Sequence, residues 1–420
     1  MNKRMEIADR IWGKSLLAAA LLLPIYSVAQ AQELYTPEEE TAEEAGARGF
    51  KLGPGARLIT SVEADTRYSD NFYSVNDALP STSTMTYRLR PEGYIDLSGG
   101  SWGSILGASV DGGITNHNHK DNYADATGYT AWHWQALTAH QFNARASAAF
   151  GHDAFGTTRT EGIAATSNTD LDKWRRYTGD VGYIFGAKDD RFKSDIDLGA
   201  ESKRYYTNTV ATTPLDYKLY SAKVSGYYSI SDRTQLVARL LGSKVDFDNA
   251  ASAAARDAKE YRARAGMRWA VTGQTTGEVL GGYVHRTLDT GGNRFSAVDW
   301  AAKVMWSPVV STRIGFETGR ESSESYVTGV SFIDSRYGLV NWAQVLAGHL
   351  SSNLSYRYEN SAYVGSTRVD RNQLIGAGLQ YAFQRNWSLL ANYEHPLRSS
   401  TTSGLDYKAN IAQIGVRFAQ

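Results

Sequence analysis

The stretch Tyr407-Lys408-Ala409-Asn410-Ile411-Ala412-Gln413-Ile414-Gly415-Val416-Arg417-Phe418 decides the fold. Ile414, Val416 and Phe418 fall on one side of an extended chain, and Gln413, Gly415 and Arg417 fall on the other. A two-residue period of this kind belongs to a strand with one apolar and one polar face. The same rhythm starts at Arg57, where Leu58, Thr60, Val62, Ala64 and Tyr68 oppose Ser61, Glu63, Asp65 and Arg67. It recurs with Phe192, Ile196, Leu198 and Ala200 set against Arg191, Lys193, Asp195, Asp197, Glu201 and Lys203. Tyr261, Ala263, Ala265, Met267 and Trp269 oppose Glu260, Arg262, Arg264 and Arg268 in the same way. Six charges on one strand face are untenable in a dry sandwich core, because unpaired buried charge is very expensive. They require water or one another, and a water-filled transmembrane barrel offers both while its outer face meets lipid.

Composition agrees. The chain has 420 residues, 42% of them hydrophobic, and a mean hydropathy of −0.41, which excludes a helical membrane protein. No apolar run after residue 31 approaches the roughly 20 residues of a spanning helix. The 26 tyrosines and 10 tryptophans suit the two aromatic girdles of a barrel. With no cysteine there is no disulfide, no thiolate chemistry and no N-terminal lipid anchor. No cofactor, metal or nucleic-acid partner is expected; outer-membrane lipids are.

Residues 1–31 read as a secretory signal peptide. Lys3, Arg4, Arg10 and Lys14 surround an apolar stretch from Leu16 to Leu23, which ends in the small-x-small sequence Ala29-Gln30-Ala31. Its removal leaves a mature charge of about −2, which argues against a wholly polycationic channel. Residues 32–56, with six glutamates between Glu33 and Glu44, read as an acidic periplasmic tail. It is either a solvated leader or a docking segment for a periplasmic partner. Residues 57–420 read as the barrel.

Connection lengths set the topology, since such barrels join strands by short periplasmic turns and long external loops. Short turns are predicted near Ser98, Ala139, Ala187, Ser229, Thr272, Ser307, Ala347 and Phe383. Longer polar loops are predicted at Ser69–Ser83, Gly113–Gly128, His152–Asp172, Thr207–Leu215, Asp248–Asp257, Thr287–Arg294, Ser322–Ile333, Ala362–Arg368 and Leu397–Leu405. Eight turns and nine loops join eighteen strands and leave both termini in the periplasm; sixteen is the alternative, because the markers around Ser322 and Ala347 are softer. Pro91 interrupts the second strand and predicts a bulge, since proline gives the ladder no donor.

The candidate ligand contacts are lumenal: Arg88, Arg90 and Glu92 on the second strand, Lys193 and Asp195 on the seventh, and Arg262, Arg264 and Arg268 on the tenth. Rows of guanidinium forks suit passing carboxylate or phosphate groups. The alternative is that these arginines pair with Glu63, Asp65, Asp96, Glu260 or Asp299 and simply complete the wall. His117 and His119, with Asp121 and Asp125 nearby, form only a weak metal motif in an exposed loop. His349, Asn353 and Ser355 do not assemble a nucleophilic site, because His349 sits at a periplasmic turn. No enzyme is expected.

Tyr68-Ser69-Asp70-Asn71-Phe72-Tyr73, after Val62-Glu63-Ala64, resembles the Tyr-Asp-Asp-Asn-hydrophobic-Phe element of the β-barrel porin-2 family, with Ser69 replacing the usual first acid. Arg90-Pro91-Glu92-Gly93-Tyr94 is similar to that family's proline-centred second strand. The resemblance implies an outer-membrane barrel often associated with exopolysaccharide biosynthesis and secretion, and it supplies no catalytic residues. The expected function is a passive conduit for exopolysaccharide working with a periplasmic export partner. The alternatives are a diffusion porin for small solutes and a non-conducting structural barrel.

Overall fold

The computed structural model describes residues 49–162, 170–187, 189–249, 256–272, 274–289 and 294–420. The segments expected to be a signal peptide and an acidic tail, as far as residue 48, lie outside the described residues. Eighteen strands form the barrel wall. They are β1 (Ala56–Ser69), β2 (Thr84–Gly99), β3 (Trp102–Thr115), β4 (Tyr123–Leu137), β5 (His140–His152) and β6 (Lys173–Phe185). Next come β7 (Phe192–Tyr205), β8 (Tyr217–Ser231), β9 (Thr234–Phe247), β10 (Ala258–Thr272), β11 (Thr275–Leu288) and β12 (Arg294–Val309). The last six are β13 (Thr312–Ser323), β14 (Phe332–Ala347), β15 (Leu350–Val364), β16 (Val369–Gln384), β17 (Trp387–Ser400) and β18 (Ile411–Ala419). Each strand pairs antiparallel with the next, and β1 pairs with β18 from Ser61↔Ala419 to Ser69↔Ile411. That last pairing removes both free edges, the condition for a sheet in lipid.

Side-chain alternation sorts the two faces as the sequence predicts. Leu106, Leu198, Val224, Leu240 and Ile375 project outward in mid-strand, where an arginine would cost about 2–4 kcal/mol. Ile414 in the closing strand is 71% exposed on the same face. A belt at the short-turn end contains Trp102, Trp132, Trp134, Phe142, Phe185, Trp306, Phe383 and Trp387, and Trp134 stacks on Phe142 at 5.7 Å. The opposite belt is tyrosine-rich, with Tyr68, Tyr87, Tyr177, Tyr220 and Tyr261. The amphipathic rings thus mark both interfaces.

The eight short turns lie where expected, and both softer markers are real connections: Ala347 leads directly into the turn to Leu350, and β13 and β14 are joined by loop 324–331. Several loops are shorter than expected, as at 324–331 and 365–368, and two differ most. The second external loop is only 116–122, because β3 continues to Thr115 and β4 starts at Tyr123; the last is 401–410, because β17 runs to Ser400. Polar residues there alternate with apolar ones and join the ladder, and polarity alone had marked them as loop. Phe50–Gly53, assigned to the tail by sequence, forms a short antiparallel strand against Ala56, Arg57 and Leu58. Gly55, at φ +69°, supplies the reversal between them.

Pro91 makes no bulge. Its strand keeps one register with β1, including Val62↔Pro91, while pairing toward β3 stops at Leu89↔Gly112 and resumes at Glu92↔Ser109. The missing donor is absorbed by omitting two pairs without inserting a residue.

Candidate functional site

The lumen encloses a cavity of about 1970 Å3 that extends from Asp232 and Gln235 near the short turns to Phe155 and Tyr326 in the external loops. Arg88, Arg90, Glu92, Lys193, Asp195, Arg262, Arg264 and Arg268 all line it. Strand alternation places them there, since each sits one residue from an outward apolar position. Cationic and anionic side chains line the cavity in nearly equal numbers.

The arginine row on β10 is drawn into the wall. Asp299 on β12 accepts from Arg262 at 2.9 Å and from Arg264 Nε at 2.6 Å, and the three side chains are 0–5% exposed. Arg262 also donates to Glu260 at 2.7 Å, to the Arg320 carbonyl at 2.8 Å and to Ser322 Oγ at 2.9 Å. Arg286 extends the network to Glu324 at 3.0 Å, and Arg239 and Arg268 share Glu278. Arg268 alone of the β10 row retains a large open surface, 42% of its side chain, with its guanidinium 4.8 Å from the Tyr227 ring centre. Glycine makes this pinch possible: a Cβ on Gly266 would lie 1.9 Å from the Val279 carbonyl oxygen, and one on Gly282 would lie 1.9 Å from that of Ala263.

The second-strand row is similar. Arg88 donates to Asp65 at 2.9 Å, and Arg90 bridges Glu63 and Asp65. Glu92 accepts from Tyr129 at 3.3 Å. Farther round the wall, Lys223 on β8 reaches its neighbours on β7, Asp197 at 3.0 Å and Asp195 at 3.9 Å. Of the partners named from sequence, Glu63, Asp65, Glu260 and Asp299 do pair with these arginines and Asp96 does not among the described residues, while sequence gave no sign of Glu278 as the acceptor for Arg268.

The external loops fold over the mouth, which sequence left open. Loop 153–172 sends Glu161 to Arg368, at 2.8 and 2.9 Å, and to Arg398. Arg368 is also held by Asp370 at 3.0 Å, and Arg398 by Asn372 at 3.2 Å. Arg256 ties three loops together through the carbonyls of Ser325 and Pro214, at 2.5 Å each. Burial raises the Glu324 carboxyl above its ordinary range, opposed by Arg286. Burial also raises the Tyr326 hydroxyl, reinforced by Tyr363 and Glu161.

The Tyr68–Tyr73 element has a structural task. Asp70 accepts from the Asn410 backbone at 2.7 Å and from its side chain at 2.6 Å, while Asn71 donates to the Lys408 carbonyl at 2.9 Å. These bonds join the first loop to the last across the closing seam. Phe72 and Tyr73 then meet Phe155, at 6.1 and 5.0 Å, which fixes the root of the inward loop. Tyr73 donates to Asp121 at 2.6 Å, and His152 contacts Asp125 at 2.9 Å, so both acids near His117 and His119 have protein partners. Burial holds the Asp121 carboxyl above its usual range.

No curated protein matches the chain. Among solved structures, an outer membrane protein of Pseudomonas aeruginosa, OpdK, is 10% identical with a TM-score of 0.48, covering 86% of this chain and 99% of its own. OccAB3 of Acinetobacter baumannii is 8% identical with a TM-score of 0.47, covering 88% and 100%. A bacterial polysaccharide outer membrane secretin is 8% identical with a TM-score of 0.36, covering 86% and 98%. Residues 46–420 match the family model described as "Putative beta-barrel porin 2", and the chain belongs to that family of porin-like outer-membrane barrels.

Proposed function

We propose that this barrel is a passive conduit for exopolysaccharide, fed by a periplasmic export partner and powered elsewhere. The observation that carries the reading is the lining of the lumen, where Tyr123, Tyr217, Tyr227 and Tyr337 sit among ion pairs of nearly balanced charge. Aromatic rings offer apolar faces to sugar rings, and paired charges offer donors and acceptors to hydroxyls without a net field that would trap the chain. Many weak contacts of this type favour sliding over retention. A second reading, a diffusion porin for small solutes, draws support from the Glu161 loop, which narrows the external mouth.

Planar-bilayer conductance of the refolded mature barrel, with neutral and anionic polysaccharides added in turn, tests the reading. The expected result is a steady conductance blocked by a polysaccharide, with the half-blocking concentration raised about threefold to tenfold by Tyr227→Ala, a stacking-sized loss. Conductance that no polymer blocks would favour the small-solute porin. Absence of conductance would overturn both and leave a structural barrel.

A further inference from the structure

We infer that Arg368 and Arg398 form a subsite for the carboxylate of an acidic sugar, a uronate unit of a polymer, and that Glu161 occupies this subsite as an internal stand-in. The inference rests on the polysaccharide reading and names its substrate class.

The two guanidinium groups come from neighbouring parts of the wall, at the entry to β16 and near the end of β17, whereas the carboxylate between them comes from a loop 207 and 237 residues away in the chain. Arg368 lies over the Tyr363 ring at 4.0 Å, and Arg398 lies over the Tyr407 ring at 5.0 Å. The Tyr326 hydroxyl lies 3.3 Å from the Tyr363 hydroxyl. Arg398, Tyr326, Tyr363 and Tyr407 all line the cavity. Forked donors flanked by aromatic rings match a carboxylate carried on a pyranose ring: guanidinium takes the carboxylate in a planar, bidentate manner, and tyrosine takes the ring face. The pairing points the same way. With Glu161 in place, Arg368 and Arg398 share its carboxylate; when Glu161 withdraws, both lose that contact, and an incoming carboxylate restores it.

The inward loop has its own internal support. Arg159 forks onto Asp172 with two bonds of 2.8 Å, and Thr158 donates to Asp153 at 3.0 Å. Glu161 can therefore be displaced while the root of the loop stays folded. A ligand that binds only the Glu161-free arrangement competes with an intramolecular contact, so its apparent affinity is reduced by the fraction of time the subsite is empty.

The test is calorimetric titration of the full mature barrel in detergent with an oligogalacturonate and with a neutral maltooligosaccharide of equal length. Glu161→Gln is expected to tighten binding of the acidic oligomer about tenfold and to change that of the neutral one by less than about twofold. Adding Arg398→Met to that variant is expected to remove the gain. Equal tightening for both oligomers would reduce Glu161 to a steric obstacle and overturn the inference, as would no tightening for either. Heat-modifiable migration on a gel confirms the folded barrel; if the double variant does not fold, the comparison between oligomers in Glu161→Gln decides alone. Failure of the conduit reading shows itself separately, as wild-type conductance that no polymer blocks.

Discussion

Two of the arginine pairs that hold a carboxylate in this barrel differ in where the carboxylate comes from. Arg262 and Arg264 hold Asp299, which belongs to the wall two strands away. Arg368 and Arg398 hold Glu161, which belongs to a loop that crosses the mouth. Both sites are enclosed, with side chains 0–5% exposed in the first and 5–8% in the second, but the first cannot come apart without disrupting β10 to β12, because all three of its residues belong to the wall. The second comes apart when one loop moves, and water then reaches both guanidinium groups. The same chemistry therefore acts as wall in one place and as a displaceable contact in the other.

The largest effect that separates them is on stability. Asp299→Ala leaves two enclosed guanidinium groups without their carboxylate, and a loss of about 3–5 kcal/mol is expected. Glu161→Ala also removes the acceptor of two enclosed guanidinium groups, but the loop can move aside and let water take the vacated place, and a smaller loss of about 1–3 kcal/mol is expected. Urea titration of tryptophan fluorescence in micelles measures both. Equal losses would erase the distinction between wall and latch.

Most of the barrel was legible because its information is local. Alternation shows in every strand, and turn spacing gives the number of strands, so the closing segment Tyr407–Phe418 already contains the rule that the whole wall follows. The lumenal direction of Arg88, Arg90, Lys193 and Arg262 follows from the same period. What sequence could not supply is pairing across long separations. Nothing near Glu161 announces Arg368 or Arg398, and nothing near Arg268 announces Glu278, because these meetings depend on the curvature of the closed sheet and on how far a loop folds inward. The Pro91 bulge failed for a related reason: the sequence shows a missing donor, whereas only the ladder shows that two pairs can be omitted with the register kept. Asp70 and Asn71 were visible as a family element, but their task of joining the first loop to the last requires the two ends of the chain to be adjacent.

A smaller effect sharpens the comparison from the loop side. The Asn71 side chain donates to the carbonyls of Val75 and Lys408, at 2.8 and 2.9 Å, and accepts from the Val75 amide at 3.0 Å. Asn71→Ala orphans these groups in a buried setting, at a cost of about 1–3 kcal/mol. The loss is expected to fall on loops 70–83 and 401–410, read as faster hydrogen exchange there, with the β10–β12 wall unchanged. Faster exchange throughout the wall would show that the closing seam and the arginine network unfold as one unit.

The smallest expected effect is one of pH, and it too divides loop from wall. Burial raises the carboxyls of Asp121 and Asp216, opposed at Asp121 by the Tyr73 hydroxyl and the nearby His117 and His119, and at Asp216 by the Tyr205 amide at 2.8 Å. Each therefore binds its proton more tightly in the folded loops than in the unfolded chain. Over the interval between the ordinary carboxylate range and the raised value, the folded state holds more protons, so loop stability falls as pH rises through that interval and is recovered as pH is lowered. Loops 116–122 and 206–216 are expected to show more hydrogen-exchange protection near the ordinary carboxylate pKa, at about pH 4, than at about pH 7, after correction for intrinsic rates. Asp121→Asn, which mimics the protonated acid, should remove the response of loop 116–122 and leave that of loop 206–216 in place. If instead protection in the loops rises with pH, ionised aspartate is the form the folded loops prefer, and contact with Tyr73 and the histidines outweighs burial.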